Sequence, residues 1–423
     1  MRNRWLQLAL GIVTMVMIAN LQYAWTLFVN PLSDTNGWTK AQVQVAFTMF
    51  ALFQVWLVPI NGWFIDRLGP SRLVALGGVL AAASWLIFSA AHTLAALYFG
   101  GAVGGIGAGI VYGAAIASAV KWFPEKRGLA AGLTAAGFGG GAALTILPIS
   151  HMLATKGYET TFATFAIIQG VGIIICAIFL RFPRESESVS KAVIPSFVSN
   201  VERTPAEMLR QPTFYLLYVM FVMIACGLLV MTAQIAPFAK DFGFEKVPVY
   251  VLGLGFATLQ LALIVDNVLN GVSRAAFGAL SDRIGRETTM FLAFFLEAGG
   301  LLGFLLWAPR SPWLFILFAG LTFIASGEIY SLFPATCTDL FGSKYAATNT
   351  GLLYTAKGTA ALMVPYASYI HQTSGSWTPV LATLVVFNII SALLAAFVLR
   401  PMRERAISRD RLVVEVKPQV AAS

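Results

Sequence analysis

Twelve runs of mostly apolar residues, each about 20 long and parted by short polar breaks, limit what this chain can fold into more than any other feature. A helix of that length matches the hydrocarbon thickness of a bilayer, about 30 Å at about 1.5 Å per residue. Backbone amides in lipid must satisfy one another, which makes helices of such runs. The runs cover 5–29, 42–64, 73–91, 95–120, 128–150, 160–180, 213–237, 250–279, 288–308, 312–334, 346–370 and 378–399. Only 11% of the 423 residues are charged, against about 25% in a typical soluble domain, and mean hydropathy is +0.77. That deficit leaves too little polar surface to face water on all sides, so the lipid bilayer is an expected partner. The first four residues are basic in character and lead straight into an apolar stretch too long for a signal-peptide core, so this stretch reads as the first span.

The net charge of +9 raises the possibility of nucleic acid or acidic partners, but the positions of the charges argue for membrane topology. With both termini in the cytoplasm, 21 of the 28 basic residues fall in inside loops and five outside, while Arg274 and Lys357 fall within spans. This is the positive-inside pattern. The longest polar stretch, 181–212, lies at the midpoint and reads as a cytoplasmic linker between a six-helix bundle at 1–180 and a second at 213–399; 400–423 reads as a cytoplasmic tail.

An internal repeat supports the halving. Gly62, Asp66, Arg67 and Gly69 recur as Gly278, Asp282, Arg283 and Gly285, all at an offset of 216 residues. Tyr112, Phe123 and Lys126 match Tyr330, Phe341 and Lys344 at an offset of 218. Two halves running the same way imply an all-α membrane protein of twelve transmembrane helices in two parallel-repeat halves, with a substrate site between them at mid-membrane. The pattern G-x-x-x-D-R-x-G after spans 2 and 8 resembles the signature loop of the major facilitator superfamily. Its glycines allow a tight turn and its aspartates can cap a helix. With Arg72 and Arg286, its arginines would hold a cytoplasmic gate through charge-assisted hydrogen bonds.

Within that superfamily the chain resembles the oxalate:formate antiporter family over nearly its whole length. The residues that carry the resemblance are Gln22-Tyr23-Ala-Trp25-Thr-Leu, Val111-Tyr112-Gly113 and Lys121-Trp-Phe-Pro-Glu-Lys-Arg-Gly128 in the first half. In the second they are Asn270-Gly-Val-Ser-Arg274, Tyr330-Ser-Leu-Phe-Pro334 and Tyr354-Thr-Ala-Lys357. The resemblance implies a bacterial inner-membrane carrier of small carboxylate anions, working by alternating access with two buried cations as the anion-binding pair. It also makes Gln22, Tyr23, Tyr112, Tyr330 and Tyr354 candidates for the same site, each with packing as the alternative.

Arg274 and Lys357 carry most of the functional reading. A charge in an apolar span costs at least a few kcal/mol, a cost tolerated where the group faces a wet cavity and meets an anion. Arginine offers a planar two-point contact to a carboxylate and lysine a mobile point charge. Alternatively, the two form ion bridges to Asp266 and Glu328 that hold the bundle and bind nothing, or Arg274 snorkels toward the cytoplasmic end of its helix. Asn267, Asn270 and Arg274 share one helix face at about 100° per residue, with Asp266 at its edge. Such a polar stripe should face the central cavity and makes Asn270 a candidate for the site, with hydrogen bonding between helices by the asparagines as the alternative. Glu328 departs from the family's pattern, in which a small neutral residue stands there. Ionised, it would lower the cavity charge and suit a monocarboxylate; protonated, it or Asp266 could carry a coupled proton. Glu297 has no assigned role.

Three histidines and three separated cysteines form no metal-ligand spacing, and no nucleotide motif is present, so no metal or cofactor is expected. The glycine run from Gly100 to Gly109 follows no strand and reads as a close helix contact rather than a phosphate loop. No paired-acid or nucleophile–base set suited to an enzyme occurs within the spans, and nothing points to nucleic acid. The expected function is exchange of small carboxylates by a single chain; the competing one is proton-coupled symport of a monocarboxylate such as lactate or pyruvate.

Overall fold

A computed structural model describes residues 4–123, 127–183, 202–342 and 345–405. The side chains of Asp66, Arg67 and Asp282, most of the expected linker and most of the tail lie outside the described residues. The chain forms α1 (Arg4–Tyr23), α2 (Thr26–Asn36), α3 (Lys40–Trp56), α4 (Val58–Leu68), α5 (Pro70–Ser89) and α6 (Leu94–Trp122). Then come α7 (Arg127–Gly140), a tight turn at Gly141–Leu144 and α8 (Ile146–Phe179), which folds back at Gly157. After the short α9 (Pro205–Met208) follow α10 (Pro212–Asp241), α11 (Thr258–Ile284), α12 (Arg286–Trp307), α13 (Pro312–Ser326) and α14 (Ile329–Phe341). The last are α15 (Ala346–Ala360), α16 (Met363–Ser374) and α17 (Thr378–Leu394).

Eight helical segments among the described residues are long and apolar enough to cross a membrane. Five of the expected spans are helices broken along their length, at Ala24–Trp25, Leu57, Gly141–Thr145, Gly327–Glu328 and Ala361–Leu362. Taking each broken pair as one rod and dividing α8 at Gly157 gives twelve rods among the described residues. Three of the breaks have a local cause. Pro59, Pro148 and Pro365 each lack an N–H to donate and stand just after the breaks at Leu57, Gly141–Thr145 and Ala361–Leu362.

One expected boundary is wrong. The span at 250–279 starts too early, because Pro248–Val251 and Leu254–Ala257 form an antiparallel hairpin, β1 and β2, and the helix starts at Thr258. Leu252 (φ 51°) and Gly253 (φ 82°) make its two-residue turn, whose positive φ values match the twist of a hairpin. Averaged hydropathy hides the period-two pattern of this apolar run.

Helix contacts fall in two groups. α5 packs on α6 and α8, α3 and α1 on α6, and α1 on α7; α12 packs on α13 and α17, α11 on α13, and α10 on α15. The two groups meet where α7 lies on α11, α3 on α15 and α16, and α2 on α10. The glycine run works as a close contact. A Cβ on Gly101, Gly105 or Gly109 would strike the carbonyl oxygens of Ala46, Phe50 and Gln54 in turn, so α6 lies directly against the backbone of α3.

The repeated loop motif has one backbone conformation in both copies. Gly69 has φ 81° and ψ 164°, and Gly285 has φ 91° and ψ 156°. Only glycine adopts this region readily. We expect Gly285→Ala to destabilise the protein by about 1–3 kcal/mol, although nothing crowds the added Cβ. A melting temperature unchanged from wild type in detergent would contradict this.

Candidate anion-binding site

Seven of the rods, those holding α1, α3, α6, α7, α11, α14 and α15, supply side chains to the centre of the molecule. Arg274 on α11 and Lys357 on α15 are each only 2% exposed. Arg274 Nη1 donates to the Ala135 carbonyl of α7 (3.1 Å), and Nη2 donates to Tyr23 Oη and Asn270 Oδ1 (both 2.9 Å). Gly139 makes room for this guanidinium, since a Cβ there would lie 3.0 Å from Nε. Lys357 Nζ donates to Gln22 Oε1 (2.8 Å) and Gln54 Oε1 (2.6 Å). One ring lies beside both cations: the Tyr330 centroid is 4.2 Å from Arg274 Cζ and 5.7 Å from Lys357 Nζ. Tyr354 stacks on Tyr330 at 6.3 Å, and Phe138 meets both Tyr23 and Tyr112 edge to face.

Every direct hydrogen-bond partner of the two cations is electrically neutral. Neither Arg274 nor Lys357 pairs with Asp266 or Glu328, whose carboxylate oxygens are buried and without hydrogen-bond partners. The alternative of structural ion bridges is therefore corrected: Asp266 lies toward Gly320 on α13, and Glu328 sits at the break between α13 and α14. Snorkelling of Arg274 is corrected as well, since its guanidinium turns inward to α7 and Tyr23. Two buried positive charges without a counter-charge cost several kcal/mol each. Around them, Arg274 Nε, Gln22 Nε2, Asn270 Nδ2 and the Tyr330 hydroxyl lack hydrogen-bond partners, and all four can donate. A set of donors with positive charge fits a small anion with several lone pairs, such as a carboxylate.

Of the residues expected at this site, Gln22, Tyr23, Asn270, Arg274, Tyr330 and Lys357 come together directly, with Tyr112 and Tyr354 in the aromatic wall. Asn267 bonds instead to the Leu263 carbonyl of its own helix (2.7 Å). Trp25 packs inside and donates to Gln44 (3.1 Å). Sequence reasoning missed Gln54 and Phe138. A glutamine inside an apolar span is a readable signal; a phenylalanine among many is not.

At the end of the bundle away from the termini, Lys40 meets Asp241 at 3.3 Å and Lys240 meets Asp34 at 2.7 Å. These ion pairs join α2 and the start of α3 to the end of α10. His371 also reaches Asp241 (3.0 Å) and stacks on Trp377. At the other end, among the expected gate residues, Arg286 bonds to Ser281 and reaches Asp339 (3.4 Å), which Arg403 also contacts at 3.2 Å. Arg403 in turn meets Glu287 at 2.9 Å. Arg72 and Arg283 are exposed, and Gly62 and Gly278 lie within α4 and α11.

A single fold of broken helices around a buried cationic centre defines a membrane transporter, and the Major Facilitator Superfamily profile matches residues 10–365 and again 248–420. The chain belongs to the Major Facilitator Superfamily. It is 34% identical to the oxalate:formate antiporter of Oxalobacter formigenes, over 99% of this chain and 96% of that one. It is 24% identical to monocarboxylate transporter 12 of Mus musculus, covering 80% of this chain and 74% of the relative. The fold matches a crystal structure of the peptide transporter POT, a point mutant in complex with sulfate, with TM-score 0.73 and 14% identity over 94% of this chain and 95% of that one.

Proposed function

We propose that the chain exchanges small carboxylates of the oxalate and formate type across a bacterial inner membrane, with Arg274 and Lys357 gripping the anion from two helices. Bundles at 1–180 and 213–399 rock about this site, giving access to each side in turn. Tyr23, Gln22 and Asn270 orient the cations and the anion; Tyr112, Tyr330 and Tyr354 exclude water. The loop residues Gly62, Asp66, Arg67, Arg72, Gly278, Asp282, Arg283 and Arg286 form the cytoplasmic gate, and the excess of basic residues on one side supports cytoplasmic termini. The observation that carries the reading is the pair of buried cations bonded only to neutral groups, beside four donors without acceptors. The relative from Oxalobacter formigenes supports the substrate class. Reconstituted vesicles loaded with unlabelled oxalate should accumulate labelled oxalate or formate, and empty vesicles should not. Uptake indifferent to an internal anion would overturn exchange.

A second reading, proton-coupled symport of a monocarboxylate, is favoured by the unpartnered buried carboxylates of Asp266 and Glu328. Under it, a pH gradient alone drives uptake of pyruvate or lactate into empty vesicles.

A further inference from the structure

Glu297 on α12 is fully buried, and both its carboxylate oxygens lack hydrogen-bond partners, as do both those of Glu328. These two residues lie at one level of the antiparallel helix pair that carries them. On one side, Gly300 of α12 packs so closely on Thr322 of α13 that a Cβ would fall 2.9 Å from the Thr322 nitrogen. On the other, Phe294 of α12 stacks with Phe333 of α14, ring centroids 6.1 Å apart. Glu297 lies midway between Phe294 and Gly300, opposite the middle of the stretch from Thr322 to Phe333, where Glu328 stands in the helix break. The two carboxylates are within electrostatic reach of each other.

Two further helices complete the chamber. Gly227 of α10 leaves space for the Glu297 carboxylate: a Cβ there would collide with Oε1 and approach Asn388 Nδ2 of α17 to 3.3 Å. Asn388 is itself fully buried, and its Oδ1 has no partner. The titratable groups in the membrane-buried middle of the surrounding helices include Cys226 on α10, Asp266 and Arg274 on α11, Tyr330 and Cys337 on α14, and Tyr354 and Lys357 on α15. None of them bonds to either glutamate, although Cys226 lies close enough to Glu297 to feel its charge.

We propose that Glu297 and Glu328 form a shared proton-binding site inside the second bundle, apart from the Arg274–Lys357 pair, and that its proton moves with the carboxylate. Two bare carboxylates at one level of a dry interior repel each other and forgo hydration; a proton taken up by either relieves both costs. Asn388 offers a neutral partner to either protonation state.

The site connects to the anion centre through the break in the helix. Gly327, next to Glu328, lies so close to Asn270 that a Cβ would meet the Asn270 carbonyl at 2.8 Å, and the Asn270 amide holds Arg274. Two residues beyond Glu328, Tyr330 covers Arg274. A change of charge at Glu328 acts on the same short segment that contacts the anion-binding arginine. This inference rests on the second, proton-coupled reading for its passenger, but the proton site itself can be read without any transport.

The test is infrared difference spectroscopy of the purified full-length protein in H2O and D2O. Wild type should show a protonated-carboxyl stretch that shifts on deuteration. Each of Glu297→Gln and Glu328→Gln should change its frequency, and the double variant should lose it. Glu297→Asp, which keeps the carboxyl, should restore the band if a glutamine variant proves unstable. Every spectrum is repeated in an Asp266→Asn background, where the outcome is read, because that buried, unpartnered carboxyl can give a band of its own. In vesicles, the Glu297→Gln, Glu328→Gln double variant should lose accumulation driven by a pH gradient while keeping anion counterflow at symmetric pH. An oxalate-induced rise in its melting temperature shows that the anion site survives independently. A wild-type spectrum without the band, a band that persists in the double variant, or pH-driven accumulation that persists there would each overturn the proposal.

Discussion

Arg274→Gln should abolish carboxylate counterflow while the protein still inserts and folds. The guanidinium has three good hydrogen bonds, all to neutral groups, and lies against the ring of Tyr330. Glutamine can replace some of the bonds to Tyr23 and Asn270 but carries no charge for the anion. Removing one partner of a buried charge pair costs about 2–5 kcal/mol, or about 30-fold to several thousand-fold in affinity. The same change removes an uncompensated buried charge from the unliganded protein, so its stability without anion should rise or hold. Two melting curves separate these effects. Oxalate at 100 times its Kd should stabilise wild type by about 2.7 kcal/mol and the variant hardly at all. Arg274→Lys keeps the charge and loses the planar fork, so it should bind more weakly than wild type yet better than the glutamine variant. Lys357→Gln should behave like Arg274→Gln, and the double variant should be less than additive because both cations act on one anion. Wild-type counterflow in both single variants would end the assignment of the cation pair to substrate.

Much of this arrangement can be read from the sequence because membrane burial makes it expensive to hide a charge. Arg274 and Lys357 stand out in apolar spans for that reason, and Asn270 follows from its place one helical turn before Arg274. Gln54 carries a weaker form of the same signal, since a neutral amide in a span costs less than a charge, and only the meeting of α3 with α15 brings it to Lys357. The pairing of Glu297 with Glu328 depends on how α12 and α13 are rotated about their axes, which hydropathy does not encode. The ion pairs Lys40–Asp241 and Lys240–Asp34 join residues some 200 positions apart, and their chemistry is ordinary surface charge until the bundles are assembled. The helix breaks are half legible. Proline explains those at Leu57, Gly141–Thr145 and Ala361–Leu362, but the break at Glu328 has Gly327 as its only local signal. At Pro248–Ala257 the averaging that finds membrane spans conceals a period of two.

Gly105→Ala should destabilise the protein by about 1–3 kcal/mol, whereas Gly299→Ala should stabilise it by about 0.5–1 kcal/mol. Both glycines are interior to helices, where alanine is the better helix former. Their surroundings decide the sign. A Cβ on Gly105 would collide with the Phe50 carbonyl oxygen and lie 3.0 Å from the Gln54 nitrogen, while one on Gly299 meets nothing within 4 Å. The atoms struck at Gly105 are backbone, so relief requires α3 to move away from α6 rather than a side chain to turn. That movement carries Gln54 with it and lengthens its 2.6 Å bond to Lys357, so counterflow should fall together with stability. A packing defect remote from the site would lower only the melting temperature. Thermal unfolding in detergent and counterflow in vesicles, measured on both variants, separate these cases. Equal melting temperatures for the two alanine variants would show that α6 and α3 are not in backbone contact in the membrane protein.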